Sequence, residues 1–166
     1  KMQEVARRHG WTRFVSMQNH YNLAYREEER EMIPLCRDQG VGLLPWSPLA
    51  RGFLAGNRAR DVSTDKTGGA TLRAQTDDFA QKYYYQEADH AVAAELGKLA
   101  QQRSVSNATL AYAWLLHQSG VSAPIVGASK TWQIEQAVQA LDVSLSAQEM
   151  TALAAPYQPH PVLGHQ

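Results

Sequence analysis

The chain has 166 residues, of which 44% are hydrophobic and 19% charged, and its 16 basic and 16 acidic side chains cancel to a formal net charge of zero. This length and composition are typical of one globular domain. The neutral balance gives no electrostatic reason to expect a nucleic acid or a membrane as partner. The lone cysteine, Cys36, excludes an internal disulfide framework and favours a cytoplasmic location. We find no apolar run long enough for a membrane span and no zinc-ligand spacing, so we expect no metal.

Short apolar strands alternate with amphipathic helices along the chain. This alternation predicts βαβ units and a parallel sheet in an α/β fold. The polar segment 56–78 has no period and predicts a long mobile loop. We predict a helix at the start of the chain, strands over about 14–18, 41–45 and 123–129, and further helices over about 27–38 and 86–102 and after Ser106, Lys130 and Ser146.

Three parallel strands are too few to form a complete sheet. A parallel sheet is normally covered on both faces, and its open edges invite pairing. The chain also opens with helical residues that have no N-cap. We therefore expect residues 1–166 to be a partial domain, the C-terminal part of a larger barrel or sheet.

Polar or aromatic groups stand at each predicted strand end, where sites lie in parallel α/β proteins. Gln18 can donate to and accept from a carboxamide, and Trp46 offers a flat face to a planar ring. Arg51 follows in a loop of small residues, and Ser129 and Lys130 precede a helix, which suits phosphate. Together these groups predict a nicotinamide dinucleotide, although the chain contains neither GxGxxG nor a P-loop.

The stretches that carry these residues resemble a known family. "SMQNHYNL", "VGLLPWSPLARG", "APIVGASKTWQIEQAVQAL" and "PYQPHPVLGH" look like the C-terminal half of bacterial NADPH-dependent aldo-keto reductases. They resemble, more distantly, the potassium-channel β-subunits of the same superfamily. The resemblance implies the C-terminal portion of a (β/α)8 TIM barrel: about three βα units, a C-terminal helix and a tail. It also implies NADP(H) as cofactor and a small-molecule carbonyl, an aldehyde or a ketone reduced to an alcohol, as substrate.

Site residues follow from the same resemblance. Gln18 is similar to the glutamine that holds the carboxamide, and Trp46 to the aromatic residue stacked on nicotinamide. The pyrophosphate loop corresponds to Ser47, Pro48, Leu49, Ala50 and Arg51, and the adenosine and 2′-phosphate positions to Gly127, Ser129, Lys130, Gln133, Gln136 and Ala137. Arg73 resembles a loop arginine that reaches the cofactor phosphate. Family members often have Glu and Asn where Gln136 and Ala137 stand, which weakens the expected adenine contacts.

The family's catalytic residues are not among these motifs. The Asp, Tyr, Lys and His of its tetrad lie in the N-terminal half of the barrel, so we assign no catalytic residue and expect this chain alone to reduce no carbonyl. Two alternatives stay open: a nicotinamide-dinucleotide-binding regulatory subunit and an inactive truncated fragment. Tyr21 and Asn22 are expected to form a structural turn, Tyr83–Tyr85 to pack, and His160 not to be a ligand.

Overall fold

The computed structural model describes residues 1–56 and 83–161. Apart from Gly56, the segment 56–78 and its Arg73 lie outside the described residues, so the predicted loop stays a prediction. The α/β class is confirmed, with six α-helices and a small parallel sheet in the described part of the chain. The helices are α1 (Met2–His9), α2 (Met32–Gln39), α3 (Glu87–Gln102), α4 (Asn107–Leu116), α5 (Thr131–Gln139) and α6 (Ala147–Ala154), and the strands are β1 (Ser16–Met17) and β2 (Gly42–Leu43).

The first two predicted strands pair in parallel as β1 and β2. Their hydrogen-bond ladder continues beyond the assigned strands. The Leu44 N–H donates to the Met17 carbonyl at 2.8 Å, and the Trp46 N–H donates to the Asn19 carbonyl at 2.9 Å. Both segments therefore reach the same end of the sheet together, as parallel strands must.

The third predicted strand is an irregular extended segment that pairs with β2 earlier than expected. The Ser122 N–H donates to the Leu43 carbonyl at 2.9 Å, and the Ile125 N–H donates to the Pro45 carbonyl at 2.8 Å. Between them Pro124 has no N–H to give, which interrupts a regular ladder. The prediction of a strand over 123–129 was thus wrong in its bounds, while the parallel direction holds.

Gly42 lets this third segment lie close to β2. A Cβ atom built on Gly42 would overlap the hydroxyl oxygen of Ser122. A side chain at this position would therefore displace the Ser122 hydroxyl, whereas the remaining atoms near it lie 3.5 Å or more away.

The predicted helix over about 27–38 is divided into two elements. A short 3₁₀ helix, Glu27–Glu29, precedes α2. Pro34 is the third residue of α2, where its missing N–H falls among donors that have no partner inside the helix. The helix ends at Gly40, whose φ of 65° is left-handed and suits glycine.

The hydrophobic core lies where α3, α4 and α6 pack on one another. Leucines from all three helices meet there without solvent exposure, among them Leu96, Leu110 and Leu153. Residues 108–115 of α4 are all buried, as its apolar sequence predicts. None of the described helices is long and apolar enough to cross a membrane.

Candidate functional site

Gln18 and Trp46 lie at the same end of the parallel ladder, on neighbouring segments. Gln18 follows β1 and is exposed, and Trp46 follows β2 and is half-buried. A parallel bridge between His20 and Trp46 fixes their relative register. The structure thus brings together the two groups that were predicted to bind the nicotinamide end of a cofactor.

One face of the Trp46 indole is covered by the imidazole of His20. The two rings are parallel within 10° and their centroids lie 4.1 Å apart. On its other side His20 stacks on Tyr25, also at 4.1 Å. Among residues 1–56 and 83–161, His20 is the ring that stacks on the indole, so the opposite indole face has no aromatic neighbour within this part of the chain. Burial lowers the pKa of His20 to about 3, so the stack is uncharged at neutral pH.

The loop after Trp46 has an uncommon backbone. Ser47, Ala50 and Arg51 have φ values of 56°, 48° and 57°, in the left-handed region that residues with a Cβ rarely adopt. A turn closes the loop, since the Ala50 N–H donates to the Ser47 carbonyl at 2.9 Å. Residues with such strained backbone angles cluster at functional sites, and this short loop contains three of them. That this loop binds a pyrophosphate stays a prediction.

A phosphate site at the start of α5 would use free backbone N–H groups, but two of the N–H groups there are already bonded. The side-chain oxygen of Gln133 accepts the N–H of Ser129 at 2.8 Å and the N–H of Lys130 at 3.1 Å. Gln133 therefore caps its own helix, although it was predicted to contact adenosine. Gly127, Ser129 and Lys130 are exposed. The Ser129 hydroxyl also donates to Gln133, at a longer 3.4 Å.

Gln136 and Ala137 lie one turn further along α5 and are half-buried. The hydroxyl of Thr109 in α4 donates to the Gln136 carbonyl at 3.2 Å, and Ala137 packs against the core. These contacts join α5 to α4. They do not test the predicted adenosine role of either residue.

The amide of Asn19, beside Gln18, is 3% exposed, and within residues 1–56 and 83–161 neither its oxygen nor its nitrogen has a hydrogen-bond partner. A buried amide without partners is costly. A polar ligand group at the end of β1 could therefore supply the hydrogen bonds that the Asn19 amide lacks here.

A second polar cluster joins the C-terminal segment to the rest of the chain. His160 and Asp89 are 2% and 1% exposed, and His160 Nε2 lies 2.9 Å from Asp89 Oδ1. Glu27 Oε1 accepts the His160 N–H at 2.6 Å and the Tyr157 hydroxyl at 2.5 Å. The hydrogen bond to Asp89 raises the pKa of His160. We call this cluster the clasp, because it joins the tail to the 3₁₀ helix and to α3. No period in the sequence predicts it.

Three polar side chains form hydrogen bonds beside Trp46 and the start of its loop: His20, Asn22 and Tyr84. We call this region the Trp46 corner. Asn22 forms the predicted turn, since its Oδ1 accepts the Ala24 N–H at 2.9 Å. Tyr84 is buried as predicted, but its hydroxyl also contacts His20 and Asn22. These hydrogen bonds cross more than 60 residues of sequence, and no local motif signals them.

Comparison with known proteins gives a consistent result. The sequence model of the Aldo/keto reductase family matches residues 1–157. A protein of Schizosaccharomyces pombe, named as a candidate aryl-alcohol dehydrogenase, is 43% identical over 99% of this chain and 44% of its own length. An aldo-keto reductase of Fusarium vanettenii is 42% identical over 99% of this chain and 42% of its own length. Versiconal hemiacetal acetate reductase of Aspergillus parasiticus is 42% identical over 95% of this chain and 44% of its own length.

These relatives qualify the resemblance found in the sequence. They are fungal, so the likeness to bacterial members in particular was too narrow. The chain spans less than half the length of each relative described above. Because the family match covers nearly the whole sequence, the chain belongs to the aldo/keto reductase family.

Proposed function

We propose that this chain is the C-terminal, cofactor-binding half of a (β/α)8 barrel that reduces aldehydes or ketones to alcohols with NADP(H). The observation that carries the proposal is the Trp46 corner. The Trp46 indole stacks on the His20 imidazole at the end of a parallel strand. This is the place where α/β proteins bind ligands. A cofactor ring stacked on the opposite indole face would complete the arrangement.

The nicotinamide end of the cofactor fits the residues at this end of the ladder. Trp46 would stack on the ring, and the exposed Gln18 amide would both donate to and accept from the carboxamide. The Asn19 amide lies next to Gln18 and has no hydrogen-bond partner within the described residues. This supports a polar ligand at this end of the ladder. When bound, NADPH supplies the hydride for the carbonyl. The role of this chain is to orient the ring and exclude water from one of its faces.

The phosphates fit the loop and the start of α5. The left-handed φ values of Ser47, Ala50 and Arg51 support a loop backbone that would wrap an anion, and Arg51 would add a cation. The Ser129 and Lys130 N–H groups are already bound by Gln133, so we assign the 2′-phosphate to the Ser129 hydroxyl and the Lys130 ammonium. Arg73 is proposed as a further phosphate contact.

Two exposed apolar faces support the half-barrel. Phe14 and Val15, just before β1, are 59% and 76% exposed. Ile134 and Val138 of α5 are 52% and 57% exposed. Apolar faces of this kind are normally covered, and the relatives are more than twice as long as the match. We propose that the remaining half of the barrel covers both faces and supplies the catalytic groups.

The test of the binding site is Trp46→Ala. If stacking on the indole has its usual value of about 1 kcal/mol, the Kd for NADPH should rise about fivefold. Binding is measured by equilibrium titration of NADPH fluorescence. Trp11→Ala is the matched control, because Trp11 is 64% exposed at the end of α1, outside the corner. Equal Kd values for wild type and Trp46→Ala would remove Trp46 from the site.

The test of the division of labour is catalytic. The purified 166-residue chain should bind NADPH without oxidising it in the presence of an aromatic aldehyde, because no tetrad residue is assigned to it. Turnover by this chain at a rate typical of enzymes, above about 1 per second, would overturn the assignment. A complete protein that binds NADPH and still reduces no carbonyl would instead favour the regulatory subunit.

A further inference from the structure

The three-ring stack at the Trp46 corner has a defined hydrogen-bond network beneath it. The Asn22 amide is oriented by the Ala24 N–H, which donates to its Oδ1 at 2.9 Å. Asn22 Nδ2 must therefore act as donor, to the Ser47 carbonyl at 2.9 Å and to the Tyr84 hydroxyl at 3.0 Å. These assignments follow from the network of partners.

The same network fixes the tautomer of His20. The Tyr84 oxygen accepts from Asn22 and its hydroxyl also lies beside the Ser47 side chain. We assign its own proton to His20 Nε2, which lies 2.6 Å away. Nε2 is therefore the acceptor, and the ring proton of the neutral imidazole is on Nδ1. His20 is 8% exposed and Tyr84 is 3% exposed, so water competes little for these bonds.

The network acts on the part of the loop that needs support. Ser47 is the first left-handed residue after Trp46, with a φ of 56°, and such a conformation persists only when its surroundings fix it. Its carbonyl accepts both the Asn22 amide and the Ala50 N–H. Asn22 thereby holds the beginning of the loop, while His20 holds the indole one residue before it.

We propose that Tyr84, Asn22 and His20 are positioning residues that together hold the Trp46 indole and the Ser47 carbonyl in the arrangement that receives nicotinamide. The inference rests on the proposed function, and it adds Tyr84 from the distant segment before α3 as the residue that joins the other two. A purely structural role predicts loss of stability alone. A positioning role predicts loss of binding at the nicotinamide end of the cofactor and not at its adenosine end.

Tyr84→Phe separates these roles because it removes one hydroxyl and keeps the ring that stacks on Phe53. We expect the Kd for NADPH to rise about fivefold to tenfold, the effect of one hydrogen bond, while the Kd for 2′,5′-ADP, which lacks nicotinamide, stays unchanged. Tyr21→Phe is the matched control. Tyr21 is equally buried, and its hydroxyl donates to Glu29 at 2.6 Å, away from the corner.

A double-variant cycle tests whether Tyr84 acts through Trp46. In a Trp46→Ala background, Tyr84→Phe should change the Kd for NADPH less than twofold. Equal losses for NADPH and 2′,5′-ADP, full additivity with Trp46→Ala, or an unchanged Kd in Tyr84→Phe would each overturn the proposal. If the wild-type protein binds 2′,5′-ADP but not NADPH, or binds neither, the proposed function itself fails, which is a distinguishable result.

A measurement on the wild type keeps the proposal testable should Tyr84→Phe fail to fold. The imidazole ¹⁵N shifts of His20, assigned with a His20→Gln variant, should show the Nδ1–H tautomer at pH 7. They should move when NADPH is added and stay in place with 2′,5′-ADP. The Nε2–H tautomer, or shifts insensitive to NADPH, would contradict the network.

Discussion

Acid should destabilise this protein through His20. The imidazole stacks between Trp46 and Tyr25 and is 8% exposed. Burial, followed by the charge of His160, lowers the pKa of His20 from 6.5 to about 3. The unfolded chain therefore binds a proton at His20 below pH 6.5, whereas the folded chain stays neutral there. Stability from this group is present above pH 6.5 and is lost as the pH falls toward 3.

The size of the effect follows from the two pKa values. Each pH unit between them changes the free energy of unfolding by about 1.4 kcal/mol. Lowering the pH from about 6.5 to about 4.5 should therefore cost about 2 kcal/mol from His20 alone. That is a large fraction of the stability of a small domain, which is about 5–15 kcal/mol.

The assay is urea unfolding of wild type and His20→Gln across this pH range. The variant cannot titrate at position 20, so subtracting the two curves removes the carboxylates common to both. The stability advantage of wild type should shrink by about 2 kcal/mol on going from about pH 6.5 to 4.5. The same subtraction in a His160→Gln background removes the second cause of the shift. A constant difference between the two proteins would show that His20 titrates normally in the folded state, and would refute burial as the cause of its lowered pKa.

Three further outcomes are expected. The pKa of His160 is raised in the folded state, so the free energy of unfolding of wild type should decrease as the pH rises above about 6.5. This decrease should be absent in His160→Gln, as measured by urea midpoints. Gly42→Ala should cost about 1–3 kcal/mol by overpacking, and Ser122→Ala in the same chain should restore the melting temperature, because the clash is with the Ser122 hydroxyl. Lys130→Ala should raise the Kd for NADPH up to about fivefold, the value of an exposed ion pair, and leave the Kd for NADH unchanged; equal losses for both cofactors would remove Lys130 from the 2′-phosphate site.

The local elements could be predicted because local signals determine them. Gly40 ends α2 in a left-handed conformation, and Ser146 with Glu149 caps α6. The third strand could not be bounded, because its ladder depends on which partner lies beside it. Pro124 shows this: its missing N–H matters only once the segment lies against β2.

The predicted ligand contacts come from residues at strand ends, whereas the residues that support them could not be predicted. Trp46 and Gln18 stand directly at strand ends, where the sequence position implies the role. Tyr84 is separated from His20 by 64 residues, and a tyrosine among three in a row is typical of packing. A hydrogen bond across such a distance has no sequence period, so only the folded chain reveals it.

Tyr25 links the corner to the clasp of the tail. Its ring lies 4.1 Å from His20 and 5.8 Å from His160. Because the two imidazoles are this near, the proton that Asp89 stabilises on His160 opposes a proton on His20. The docked tail therefore favours the neutral His20 that can accept the Tyr84 hydrogen bond. Breaking the clasp at Asp89 should raise the pKa of His20 only in part, because burial remains the larger cause of its shift. His160 of the tail thus favours, through charge, the neutral form of the imidazole that stacks on the indole.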